Sequence, residues 1–185
     1  MNWLKYPHIE RLDSEEVEGL LYMSKLYIEP KIDGANASVF LDEGGQLQVA
    51  KRTQVLGAGD DMENLKKTIF EDSPRWQTFF KHYPAHIVYG EWLVKHTISW
   101  YRPTAYKQFY AFDLLNTMTG AFMQTEERVK IFDQFGILQV SPITVIKGPV
   151  ISDDQKAELA KLLDQNKFLI DGPELGEGIV IKGFT

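Results

Sequence analysis

The strongest chemical potential in this chain is an amine with charges set around it. Lys31 lies in Glu29-Pro30-Lys31-Ile32-Asp33-Gly34-Ala35-Asn36, which packs a lysine, two carboxylates and a glycine into one connection. A free lysine titrates near ~10.4, so at neutral pH it is an ammonium and attacks nothing. Desolvation or neighbouring cations make it a nucleophile, able to attack phosphorus. An exposed turn lysine is the plainer meaning of a Lys-x-Asp-Gly string, because short motifs recur by chance. Further candidates lie downstream. Lys51-Arg52 offers phosphate contacts, or two solvated charges at a strand end. Glu91 interrupts the apolar run 86–94, where a carboxylate is costly unless it is paired, bound to a ligand or facing water at a sheet end. His96 stands alone and reads as structural. Asp113 closes Phe109-Tyr110-Ala111-Phe112-Asp113, and Glu177-Gly178-Ile179-Val180-Ile181-Lys182 sets an acid and a lysine at the two ends of another apolar run.

The elements that must position these groups follow from pattern. Residues 20–28 run into the central stretch as a strand, and 36–42 leave it as another. Pro30 fixes its own φ and lacks an N–H, so a break in the ladder is expected there, with Lys31 in a strand-to-strand connection. Gly34 permits a positive φ or a close approach. Glu43-Gly44-Gly45-Gln46 is a hairpin turn, and 47–52 returns, bringing Lys51 and Arg52 back near the strand start and close to Lys31. Asp60 or Asp61 is expected to cap a helix through Phe70. Ser73-Pro74 opens the next, with Trp76, Phe79 and Phe80 at core spacing. Residues 108–115 form a strand and 121–123 a short return. Thr125 begins a helix that Gly136 ends, and 143–146 is a short strand. Ser152 with Gln155 is a capping-box pattern, for a helix to about Asn166 with Leu159, Leu162 and Leu163 facing the core. Near the start, Tyr6, Ile9 and Leu12 are spaced for a helical turn or a packed arm. Asp13 or Ser14 is expected to cap a short acidic helix through Glu18. Hairpins alternating with helices give an α+β class with antiparallel sheets.

The bulk numbers set limits. A chain of 185 residues suits one domain, and 44% hydrophobic with 25% charged residues is ordinary for a globular protein. There is no long apolar run for a membrane span, and the start lacks a signal-peptide pattern. The absence of cysteine excludes disulfides, thiolate catalysis and Cys-ligated zinc, and fits a reducing, cytoplasmic setting. A net charge of −6 argues against a broad nucleic-acid-binding face, although charge can be arranged locally.

Four strings now stand in order: Lys31-Ile32-Asp33-Gly34, Tyr89-Gly90-Glu91-Trp92, Phe109-Tyr110-Ala111-Phe112-Asp113 and Glu177-Gly178-Ile179-Val180-Ile181-Lys182. This order resembles motifs I, III, IIIa and IV of the covalent nucleotidyltransferases, which are ATP-dependent DNA and RNA ligases and messenger-RNA capping enzymes. The resemblance covers most of the chain and is strongest to the nick-sealing RNA ligases. Asn36 after the lysine motif, Ala50-Lys51-Arg52-Thr53 after the first hairpin, and the opening Lys5-Tyr6-Pro7-His8 carry that preference. Glu29, two before the lysine, is similar to the DNA ligase arrangement.

The resemblance implies a nucleotidyltransferase fold of two antiparallel sheets flanked by helices, with the nucleotide pocket between them. It implies an adenylyltransferase domain over residues 1–185, with ATP as cofactor, magnesium or manganese as the cation, and RNA carrying 5′-phosphate and 3′-hydroxyl ends, including nicked duplex, as partner. Lys31 would carry AMP. Glu29, Ile32, Arg52, Glu91, Phe112, Val180 and Lys182 would bind the nucleotide, and Asn36, Lys51 and Arg52 the polynucleotide. Glu177 and Glu91 would serve the metal. Asp33 stands where these ligases often have histidine. No Lys-x-Lys of motif V follows Lys182, so the 185 residues on their own are expected to adenylylate poorly. A DNA ligase core and a non-catalytic nucleotide-binding module are the competing readings. GTP-specific capping and NAD use fit less well.

Overall fold

The computed structural model describes residues 2–12, 14–17 and 19–184. Two compact units share the chain. The first comprises Met1–Tyr6, Gly34–His96 and Thr104–Val140, and the second Pro7–Asp33, Thr97–Pro103 and Ser141–Thr185. The class is α+β with two antiparallel sheets, as the alternation of hairpins and helices predicts.

The second unit is built on β1 (Lys25–Lys31), flanked by β8 (Thr144–Lys147) and β9 (Gly178–Gly183) in a three-stranded sheet of order β8-β1-β9. Leu26 and Ile28 point to one face and pack with Ile146, Val150, Leu159, Ile179 and Ile181. Side chains alternate along a strand, so Tyr27, Glu29 and Lys31 share the opposite face. Contrary to expectation, Pro30 does not break the ladder. The β1 strand runs through it, and Lys31 is a strand residue, paired with Gly178. The reason is that pairing with β8 stops at Ile28, so among the strands the far half of β1 is laddered to β9 alone, where Pro30 lies opposite Ile179. Helix α4 (Asp153–Lys161) opens with the capping box foreseen at Ser152 and Gln155. It tightens into a 3-10 turn at Leu162–Gln165, and Leu163 is exposed rather than core. Two further 3-10 turns, Glu15–Val17 and Leu20–Tyr22, stand where a capped helix and a strand start were expected. Asp13 and Glu18, the bounds of that helix, lie outside the described residues.

The first unit is a six-stranded sheet of order β4-β3-β2-β5-β6-β7. Its strands are β2 (Ala35–Leu41), β3 (Leu47–Lys51), β4 (Gln54–Val55), β5 (His86–Trp92), β6 (Phe109–Asn116) and β7 (Ala121–Phe122). The β2–β3 turn is held by Asp42, whose carboxylate accepts the N–H groups of Gly44 and Gln46, both at 2.9 Å, with Gly45 at φ +74°. One face packs against α1 (Leu65–Glu71), α2 (Ser73–His82) and α3 (Thr125–Phe135), with Trp76, Phe79, Phe80 and Phe132 in the core. Helix α1 begins later than Asp61. Asn64 occupies its cap position, and Asp61 instead accepts the Lys67 N–H at 2.8 Å.

The other face of the six-stranded sheet is crossed by the N-terminal arm. Trp3 donates its indole N–H to Ser38 Oγ at 2.9 Å, Tyr89 donates to the Leu4 carbonyl at 2.6 Å, and Tyr6 donates to Asp113 at 2.5 Å. The packed arm is therefore correct for Tyr6, while Ile9 and Leu12 are exposed. No helix among the described residues is long and apolar enough to cross a membrane.

Candidate active site

Four of the foreseen site residues, Glu29, Lys31, Val180 and Lys182, fall within one short length of the three-stranded sheet, with Ile32 and Glu177 directly beside it. Glu29 lies opposite Val180, Lys31 opposite Gly178, and Lys182 opposite Tyr27. These residues present a charged face because the apolar alternates are spent on the packing with α4. Lys182 Nζ meets Glu29 Oε2 at 2.8 Å across the diagonal of the ladder, with side chains only 12% and 2% exposed. Lys31 Nζ pairs with Glu177 Oε1, and both side chains are partly exposed. The two ends of the β9 string thus each answer a charge on β1. Ile32, directly after Lys31, is buried.

Asp33 is structural here. Its carboxylate accepts the Ile98 N–H at 2.5 Å and its own N–H donates to Tyr101 Oη at 2.9 Å. It therefore pins the Thr97–Pro103 segment beneath the lysine strand of the same unit. Trp100 in that segment donates to the Leu175 carbonyl at 3.0 Å, two residues before Glu177.

The remaining foreseen residues lie on the first unit. Asn36 and Glu91 are direct cross-strand partners on β2 and β5, so their side chains share the face crossed by the N-terminal arm. Glu91 sits in a central strand, half-buried, and its Oε1 accepts the Gly34 N–H at 3.2 Å. Gly34 serves by close approach rather than by a positive φ, since a Cβ there would lie 2.5 Å from the Trp92 carbonyl oxygen. Phe112 is the extra residue of a bulge, because Tyr89 pairs with Asp113 while Gly90 pairs with Ala111. Its ring meets that of Tyr6 edge-on at 5.0 Å. Burial, with the Asp113 carboxylate adding to it, pushes the Tyr89 hydroxyl well above its ordinary range. Lys51 lies opposite Ala37 on the helix-covered side and pairs with Asp60 at 3.2 Å, while Arg52 is exposed in the tight turn before β4. Lys51 is thus on the other face of the sheet from Asn36 and Glu91.

Sequence reasoning missed Asn166, a fully buried amide beside Lys31, because it stands between a helix and a loop with no motif around it. Its only sequence signal is a polar residue between Gln165 and the Phe168-Leu169-Ile170 run.

A sequence model of the RNA ligase family matches residues 24–184. The chain belongs to the RNA ligase family. No curated protein matches it. Among solved structures, this RNA ligase-family chain is similar to an archaeal ATP-dependent RNA ligase at 20% identity and a TM-score of 0.69, over 96% of the chain and 44% of that protein. It is also similar to a Naegleria gruberi RNA ligase variant with AMP and Mn, at 18% identity and a TM-score of 0.64, over 96% of the chain and 54% of that protein. A candidate ATP-dependent DNA ligase from Aquifex aeolicus follows at 19% identity and a TM-score of 0.60, over 89% and 44%. These likenesses carry the ligase-type nucleotidyltransferase fold. The RNA ligase-family chain spans about half the length of these relatives or less.

Proposed function

We propose that the chain is the adenylyltransferase part of an ATP-dependent RNA ligase, with Lys31 as the nucleophile. The observation that carries this reading is the charged face of the three-stranded sheet, where Lys31–Glu177 and Glu29–Lys182 stand side by side in a family member. In the first step the Lys31 amine attacks the α-phosphorus of ATP. The N–P bond forms as the bond to the bridging oxygen breaks, and pyrophosphate leaves with that electron pair. In the second step an RNA 5′-phosphate oxygen displaces the amine and takes the AMP. In the third a 3′-hydroxyl attacks that 5′-phosphate and AMP leaves. Each step is an in-line transfer, governed by positioning and charge neutralisation.

Lys31 reaches its reactive form when Glu177 no longer holds its proton in an ion pair, which is the condition that nearby positive charge creates. Glu177 is partly exposed and Glu91 half-buried, and among the described residues no group of three acidic, histidine or cysteine side chains is placed to hold a metal unaided. Magnesium or manganese would be carried mainly by water and nucleotide phosphates, and Glu177 and Glu91 are the carboxylates assigned to it. The ion would supply charge neutralisation at the phosphates. Glu29, Ile32, Val180, Lys182, Phe112 and Arg52 are assigned to the nucleotide, with Phe112 and Val180 against the adenine faces. Asn36, Lys51 and Arg52 are assigned to the polynucleotide, where the Arg52 fork suits a phosphate.

The test is the intact mass of the protein after incubation with ATP and magnesium or manganese, beside Lys31→Ala. A gain of one AMP that the variant lacks supports the reading. ATP binding with no adduct under either metal, both in these 185 residues and in a chain extended toward the length of its solved relatives, transfers the chain to the non-catalytic module. The Aquifex likeness keeps DNA sealing as a second reading. Nicked duplexes with an RNA or a DNA 3′-hydroxyl strand separate the two, and equal sealing of both would sink the RNA assignment.

A further inference from the structure

We propose that Asn166 is a positioning residue for Lys31, and that its side-chain amide fixes the register in which Lys31 meets Glu177. This rests on the reading of Lys31 as the nucleophile. Asn166 is 1% exposed, and its Nδ2 donates to two carbonyls, that of Lys31 at 3.2 Å and that of Gly178 at 2.6 Å. Those two residues are cross-strand partners, the last of β1 and the first of β9. At that end of the ladder one amide therefore supplies both donors, leaving neither carbonyl unsatisfied.

The bracket is itself held. Asn166 Oδ1 accepts the Phe168 N–H at 3.3 Å, which orients the amide so that its NH₂ faces the two strands. The Asn166 carbonyl accepts the Gly176 N–H at 2.9 Å. Gly176 leaves room for this, since a Cβ there would fall on the Asn166 amide. Glu177 lies between Gly176 and Gly178, and both of these residues bond to Asn166. One side chain and its own peptide thus fasten the main chain on both sides of the acid and behind the lysine. Serine is too short to bridge both carbonyls, and aspartate would set acceptors against acceptors.

The experiment reads the amine itself, so it does not depend on ligase activity. The full chain, Asn166→Ala, Glu177→Gln and the double variant are labelled at a fixed mildly alkaline pH with an amine-acylating reagent. Lys31 labelling is measured by peptide mass spectrometry relative to the exposed Lys81. Exposed ion pairs are weak, so loss of the register should raise Lys31 labelling about two- to fivefold. Glu177→Gln should do the same, and the double variant should add nothing to it. Because Asn166→Ala strips donors from two carbonyls, Gly176→Ala provides a second route, displacing the amide without deleting it. Unchanged Lys31 labelling in folded Asn166→Ala or Gly176→Ala overturns the proposal, as does an Asn166→Ala effect that persists in full when Glu177 is already glutamine. A merely structural Asn166 would lower the melting temperature and leave the Lys31-to-Lys81 ratio alone. Failure to form an AMP adduct, in a chain extended toward the length of its solved relatives as well as in this one, would count against the nucleophile reading instead, and the labelling ratios would still decide whether Asn166 sets the lysine.

Discussion

Removing the ammonium from the buried Glu29–Lys182 pair is the most demanding test of the charged sheet face. Lys182→Met keeps the stem of the side chain and deletes only the charge. The pair sits at 2.8 Å with side chains 12% and 2% exposed, so Glu29 would be left with a carboxylate deep in the fold and without its ammonium. Breaking such a pair from one side costs about 3–5 kcal/mol, and the small exposure of Lys182 places the effect at the lower end, about 3 kcal/mol. For a chain of 185 residues each kcal/mol moves the melting temperature by about 2–4 °C, giving a fall of about 6–12 °C. Scanning calorimetry and urea unfolding would follow Lys182→Met, Glu29→Gln and the double variant. The double variant should be more stable than the sum of the singles predicts, by at least about 1 kcal/mol, because neither leaves the other stranded. Additivity within about 0.5 kcal/mol would mean that the two groups do not answer one another, and the account of this face would fail.

Gly34→Ala would push a Cβ to 2.5 Å from the Trp92 carbonyl oxygen and prise the Gly34 N–H from Glu91, costing about 1–3 kcal/mol in a urea titration and suppressing AMP transfer to Lys31. Stability no different from the unsubstituted chain would show that this approach is not a constraint. Burial holds His86 below its ordinary value of 6.5, so as pH falls the unfolded chain takes the proton first. The folded state should lose stability below about pH 6.5, and the drop in melting temperature between about pH 7.5 and about pH 5.5 should be smaller in His86→Phe. An equal drop in both proteins would remove His86 from the account.

Much of this site was legible because strands with a chemical residue in them are unusual strings. Glu91 within an apolar run had to be answered by something, and the Gly34 N–H is part of that answer. The capping box at Ser152 and the left-handed Gly136 that ends α3 were equally plain, because local bonding decides them. What failed depended on distant partners. Pro30 reads as a breaker until β8 is seen to stop at Ile28. The pairing of Lys51 with Asp60 was likewise out of reach, since Lys51-Arg52 reads equally as phosphate contacts or as solvated strand-end charges. Asn166 gave no warning, since its two acceptors are main-chain carbonyls, and every residue has one.

The strand that carries Lys31 is made early and finished late. The β1 strand is the centre of its sheet, yet both neighbours come from residues 144–183, and Glu177 is 146 residues away from the lysine it meets. While the chain is being synthesised, β1 emerges with both edges uncovered and waits through the whole of the six-stranded sheet. Such non-local pairing is slow to form and exposed to misassembly in the meantime. It also means that a chain cut before Glu177 has the lysine without its acid, so the charged face exists only once residues 177–182 have joined β1.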